Sequence, residues 1–297
     1  MNMGALIEIN TDGLAKLAEI VGDWTGLNAR GRERMADAEA YAEVRKVDTQ
    51  NAIALARLEG EEQVARYIYA RESRKMNNVR QIVDQAKTQF SEGEQVSSEP
   101  VNQDWQNRFF SIVEDVSDKE MQKLWAQILA GEIKRPKSYS MRTLDTLRNM
   151  TKEDAELFVV STSYLVHNEC ICTEKEFGIS LIDALKLTDM GVLSNEALTL
   201  TFTIPAHSYN HNSINQTTMI TFYNDSDSII KCTVDIKILT TTGKELLKLI
   251  PCQQNDIFIN SLADFCKSKG CSKVTKNEII NWESDTYQFK RQNETEI

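Results

Sequence analysis

The sequence predicts a mainly α fold with a smaller α+β part, and three observations predict it. Residues 28–90 contain no proline and are rich in Ala, Glu, Arg and Gln, a composition that favours helix. Residues 101–167 read as four short helices separated by capping residues. From Thr173 onward the pattern changes to runs rich in Thr, Ile, Val and Phe, which suit strands.

Each element follows from its own spacing. Residues 11–27 place Leu14, Leu17, Ala18, Val21 and Trp24 at helical intervals, with Lys16, Glu19 and Asp23 elsewhere on the turn. The stripe Leu14, Leu17, Val21 and Trp24 could meet a partner or a membrane. Its polar side lacks the Lys/Arg excess that anionic lipid attracts, so packing against protein is preferred. From Leu55 a heptad seam runs through Leu58, Glu62, Ala65, Tyr69, Glu72, Met76, Val79, Val83, Ala86 and Phe90. Two of those positions are Glu. The object expected is a long helical arm whose narrow stripe packs on its own body or on another copy, with Gly60 as the best break. A homo-oligomer through residues 28–90 is the partner expectation.

Ser91–Pro100 is polar and acidic, and reads as the linker that closes the arm. The expected domains are residues 1–95, 96–172 and 173–297. In the second, Trp105, Phe109, Ile112, Val113 and Val116 form one stripe. Ser117 and Glu120 make a capping-box pattern that opens Met121–Ala130, with Gly131 as its stop. Ser138 or Ser140 caps Met141–Met150, and Thr151 with Asp154 caps the helix that follows. Trp105, Phe109, Trp125, Leu129, Leu144 and Leu147 are the expected core of this block. Glu132 and Arg142 are expected to meet as a structural clamp beside the Gly131 helix end. In the third domain the expected helices are Leu181–Met190, Thr240–Ile250 and Leu262–Lys269. The expected strands are Leu198–Ile204, Met219–Tyr223, Ile229–Leu239 and Ile257–Ile259, with Ser208–Asn215 as a loop.

Composition limits function. The chain has 297 residues, 34 Lys and Arg against 44 Asp and Glu, and a net charge of −10. No basic footprint for a phosphate backbone exists at whole-chain level, which demotes nucleic acid as a partner. No secretory signal opens the sequence and no run is long and apolar enough to span a bilayer. The expected place is the cytoplasm, with a peripheral position at the inner membrane as the variant. The six cysteines show no C-x-x-C pair and read as reduced core thiols. His207 and His211 lie four apart but in an expected loop, and His167 with Cys170 and Cys172 lacks an orienting third group. No catalytic, cofactor or metal residues are therefore assigned.

One block carries a resemblance. Asp104-Trp105, Arg108-Phe109-Phe110, Val116-Ser117-Asp118, Leu124-Trp125-Ala126, Ile128 to Glu132, and Ser140 with Arg142-Thr143-Leu144 stand in an order of aromatics that resembles the bacterial family catalogued as domain of unknown function 2806. Glu99–Phe158 carries it. The family pattern implies a glycine after Pro136, where this chain has Lys137. More loosely, Leu181–Ile250 resembles the end of a winged-helix module, with "LKLTDMGVLS" before the strands and "ILTTTGKELLKLI" after them. The insertion from Pro205 to Thr218 is long for a wing. The layout is also similar to abortive-infection proteins that join a helical N-terminus to a wing-like C-terminus. The segregated layout, the lack of a catalytic motif and this likeness together give the expectation of a non-enzymatic sensor or effector of bacterial antiviral defence, with a nucleic-acid-binding regulator through the winged-helix-like region as the alternative.

Overall fold

A computed structural model describes residues 11–24, 62–91, 94–215, 217–251, 253–283, 286–289 and 295–297. Of the arm expected over residues 28–90, the part 28–61, with Leu55, Leu58 and Gly60, lies outside the described residues. The chain divides into two compact units, Met1–Leu144 and Asp145–Ile297. The mixture is α+β: helices through the first unit, helices and two antiparallel sheets in the second.

The first unit contains α1 (Thr11–Trp24), α2 (Glu62–Lys87), α3 (Gln103–Val113), α4 (Lys119–Lys134) and the start of α5 (Met141–Asn149). Its core is an aromatic cluster wrapped by aliphatic stripes. Phe109 stands edge-on to Trp125 at 5.7 Å and to Phe110 at 5.4 Å, and Trp105 stacks on Phe109 at 5.1 Å. Val79, Ile82, Val83 and Ala86 of α2 are buried, and α2 packs along α4. The lower half of the heptad seam is therefore taken up by the body of the same chain.

The segment 94–100 is no free linker. Ser97 N–H donates to the Lys134 carbonyl at 3.0 Å, and Lys134 pairs with Glu94 at 2.9 Å. The Lys16 ammonium donates to the Ser97 and Glu99 carbonyls. The compact unit consequently crosses the boundary expected at residue 95, because α1 and α2 supply part of its core.

Two helix ends differ from their sequence reading. Asp118, one residue after the expected Ser117, caps α4: its Oδ1 accepts from Glu120 N–H at 3.0 Å and Met121 N–H at 2.9 Å. Gly131 does not stop that helix, which continues to Lys134. Its lack of a side chain serves packing, since a Cβ there would lie 2.8 Å from Tyr139 Cε2.

The second unit begins within α5, and the buried Leu147 lies on its side of the division. α6 (Lys152–Ser161) opens on the Thr151–Asp154 capping box. A 3₁₀ turn leads from it into β1 (Leu165–Val166) and β2 (Cys170–Cys172). There follow α7 (Leu181–Asp189), β3 (Leu198–Ile204), β4 (Ser208–Ser213), β5 (Thr218–Asn224), β6 (Ile230–Ile238), α8 (Thr241–Leu247), α9 (Asp256–Ser268), β7 (Lys273–Glu283), β8 (Thr286–Phe289) and β9 (Thr295–Glu296). One sheet runs β1-β2-β6-β3; the other runs β4-β5-β7-β8, with β9 on β7.

β3 and β6 pair directly, from Leu198 with Ile236 to Ile204 with Ile230. β4 and β5, between them in sequence, belong to the second sheet. The segment 208–215, expected as a loop, is thus mostly strand: His211 pairs with Thr221 and Asn212 with Ile220. Polar residues hid it, because its periodicity is carried by hydroxyl and amide side chains. Ile257–Ile259, expected as a strand, lies in the first turn of α9, capped by Asn255, whose Oδ1 accepts from Phe258 N–H at 3.0 Å. The core joins Phe202, Ile204, Val234 and Ile236 to Ile220, Phe222 and Val274, under Phe258, Ile259, Leu262 and Cys266 of α9.

Candidate functional site

The motif residues of the first unit converge on the turn from α4 to α5. Glu132 is 2% exposed. Its Oε1 accepts from Lys137 N–H at 2.6 Å and its Oε2 from Tyr139 N–H at 3.0 Å. Trp105 Nε1 donates to the Tyr139 carbonyl at 2.8 Å. The Tyr139 ring lies over Gly131. Ser140 Oγ then accepts from Thr143 N–H at 3.3 Å and caps α5. A buried carboxylate needs such donors, since burying it without them costs several kcal/mol.

Lys137 has φ 71°, in the left-handed region that favours glycine. That is the position where the resemblance implies Gly. The lysine adds an exposed pair to Glu99, 2.5 Å apart, and Glu99 holds the ammonium above the usual lysine range.

The structure therefore does not assemble the expected clamp. Arg142 is exposed on α5, whereas Glu132 is buried and bonds backbone. The carboxylate finds its partners in the turn five and seven residues ahead. Both of its oxygens bond backbone of this turn, so the cluster builds the α4–α5 connection. Trp105, Phe109, Trp125, Leu129 and Leu144 are all buried.

The N-terminal stripe is covered by protein. Leu17 is 1% exposed, Leu14 and Val21 are half-buried, and Trp24 stacks on Phe110 at 4.8 Å. No helix among the described residues is long and apolar enough to cross a membrane.

In the second unit the reactive residue types are dispersed. His207 Nε2 meets Asp227 Oδ1 at 2.8 Å in an exposed turn, and His211 Nδ1 meets Thr221 Oγ1 at 2.7 Å. Among the described residues no three His, Cys, Asp or Glu group as metal ligands. His167 and Asn168, with φ 54° and 58°, form the β1–β2 turn. Burial holds the His167 imidazole below its ordinary value. Burial pushes the Cys170 thiol up, and the Cys172 thiol up to about 12. Such thiols stay protonated and are poor nucleophiles. Cys232 and Cys271 approach to 4.0 Å inside the core, and Cys232 is pushed up to about 12, first by its contact with Cys266.

Sequence reading passed over one feature. α7 exposes Leu181, Ile182 and Leu185, at 74%, 66% and 51%. It buries Ala184 and Leu187 on its other side. Ser180 caps it by accepting from Asp183 N–H at 3.1 Å. Its C-terminal turn is fixed by Gly191 at φ 76° and by Thr240, whose Oγ1 donates to the Gly191 carbonyl at 2.6 Å. The helix is therefore held firmly while presenting apolar side chains to solvent. The signal was a nine-residue helix with apolar residues on both sides, more than one core-facing stripe requires.

No curated protein and no solved structure matches the chain. Residues 63–172 match the family model described as protein of unknown function (DUF2806). The matched span includes α3, α4 and the Glu132–Tyr139 turn, so it is this block that matches the family.

Proposed function

We propose that this protein is a non-enzymatic interaction protein that engages a protein partner through the exposed face of α7. The observation that carries this reading is Leu181, Ile182 and Leu185 held in solvent on a capped helix. Three large aliphatic residues on one short helix form the kind of contiguous apolar patch that marks interaction surfaces. The partner's chemistry follows: an apolar groove or helix face able to cover those side chains.

In this reading the arm over residues 28–90 provides self-association. A role as sensor or effector in bacterial defence rests on the likeness of layout to abortive-infection proteins. The membrane form of that role has less support, because the stripe of α1 is engaged in the core of its own unit.

The alternative is a nucleic-acid-binding regulator with Leu181–Ile250 as a winged-helix-like region. The order α7, turn, β3 and the Thr240 cap of α8 support it. Chemistry weighs against it: the helix that would read bases carries Lys186 beside Asp183 and Asp189, and its exposed face is apolar.

The test places a photo-crosslinking residue at Ile182 in the full chain within cells, with one at Lys152 as the surface control. A discrete adduct specific to Ile182, lost in L181D/L185D, is expected. Identical adduct patterns at both positions would remove the basis for the reading. Salt-dependent retention on duplex DNA that survives L181D/L185D would favour the alternative.

A further inference from the structure

Among the described residues β3 stands at one edge of its sheet, paired with β6 on one side only. The bonds of β6 decide which backbone groups of β3 face the open side. The Asp235 carbonyl accepts from Thr173 N–H at 2.8 Å, and Asp235 N–H donates to Glu174 Oε2 at 3.1 Å. Both backbone groups of Asp235 thus turn toward the β2 side of β6. Asp235 faces Thr199 across the ladder, so these two form a non-hydrogen-bonded pair. Alternation then directs the N–H and C=O of Thr199, Thr201 and Thr203 away from β6.

Two contacts agree with this assignment. Thr201 Oγ1 lies 2.9 Å from Thr233 Oγ1, the close side-chain approach of a non-hydrogen-bonded pair. The Thr203 carbonyl, free of β6, accepts from Asn210 Nδ2 at 2.7 Å. Thr199 and Thr201 are exposed and their backbone groups have no such cap among the described residues. The devices that blunt natural edges are also missing: Leu198–Ile204 contains no charged residue, and proline comes only at Pro205.

We propose that this edge is an interface between two copies of the chain, in which β3 pairs antiparallel with the same strand of the second copy about a two-fold axis at Leu200. The complement of outward N–H and C=O groups is another extended strand, and this strand complements itself. With Leu200 on the axis, Thr199 of each copy faces Thr201 of the other, and both facing pairs exchange their N–H and C=O bonds. Leu200 meets its counterpart in the non-hydrogen-bonded position between them. The threonines stay on the solvent face in both copies. Leu198 and Leu200, half-buried against the core, gain cover on the other face.

Sedimentation of the full chain over a range of concentrations tests the pairing. Self-association is expected, and Thr201→Pro should remove the part of it that β3 supplies, lowering the order of association whatever the arm contributes. That substitution removes an outward N–H while sparing the ladder to β6, the setting in which strands tolerate proline. Leu200→Cys should form an intermolecular disulfide with oxidised glutathione, two protein thiols being oxidised as glutathione disulfide is reduced to two thiols. The spacing of a non-hydrogen-bonded pair, about 4.5 Å between Cα atoms, suits that bond. A wild type that stays monomeric overturns the proposal. So does a dimer that T201P leaves intact while L200C crosslinks no more than wild type. Should T201P fail to fold, the L200C arm decides alone.

Discussion

Glu132 Oε2 accepts the backbone N–H of Tyr139 at 3.0 Å in the interior of the first unit, while Oε1 takes the N–H of Lys137. One side chain thus holds the whole turn between α4 and α5. Glu132→Ala leaves two donors without it and should destabilise the first unit by about 2–4 kcal/mol. Glu132→Gln keeps one acceptor oxygen and should cost less. Urea unfolding followed by tryptophan fluorescence ranks the three proteins; an alanine variant with the wild-type midpoint would show that the turn does not depend on this carboxylate.

Lys137→Gly should raise stability, because a lysine at φ 71° carries backbone strain that glycine does not. The pair with Glu99 lost in the exchange is exposed on both sides and screened. Glu99→Gln, which removes the pair alone, is the control. A K137G midpoint at or below that of E99Q would mean that relief of strain is not the dominant effect.

Leu17→Asp should unfold the first unit cooperatively, since it puts an unpaired carboxylate at a site 1% exposed, a change on the order of 3–5 kcal/mol. A chain beginning at residue 96 loses Leu17, Ile20, Val79, Ile82, Val83 and Ala86 from the core. It should bind a hydrophobic dye and lose the near-ultraviolet dichroism of the aromatic cluster. Retention of native dichroism by the truncated chain would show that α1 and α2 are dispensable.

Gly243→Ala should destabilise the second unit by about 1–3 kcal/mol through overpacking. A Cβ there would lie 2.2 Å from the Val192 carbonyl oxygen, which is backbone and cannot rotate away. Differential scanning calorimetry of G243A beside Gly191→Ala would separate crowding from backbone strain. The second site has open space but φ 76°. A G243A protein melting with the wild type would contradict the close packing of α8 on the turn after α7.

His167 is held neutral by burial, with its pKa below the ordinary 6.5. Protonation therefore favours the unfolded chain. The stability of the second unit associated with this residue is complete above pH 6.5 and declines as pH falls from there through the folded value. His167→Gln should flatten that part of the stability–pH curve between pH 7 and 5. Superimposable curves for variant and wild type would assign the acid sensitivity to other groups.

The sequence by itself determined what is local. The helices between Gln103 and Ser161, the Thr151–Asp154 cap, and the strands Leu198–Ile204 and Ile230–Ile238 are set by neighbours within a turn or by strict alternation. The aromatic order of the family block and the odd lysine after Pro136 were legible for the same reason. Tertiary structure decided which residues meet. Gly131 read as a helix stop and proved to be the floor under Tyr139; Arg142 read as the partner of Glu132 and stands in solvent. The stripes of α1 and α2 were legible, but not whether the second packs on its own body or on another copy; in the fold both complete a core. The polar strand Ser208–Ser213 became visible only through its pairing with β5. The apolar face of α7 and the open edge of β3 are likewise properties of what the fold leaves uncovered. Local signals are carried by backbone hydrogen bonds three or four residues apart, whereas burial and exposure depend on segments brought together from across the chain.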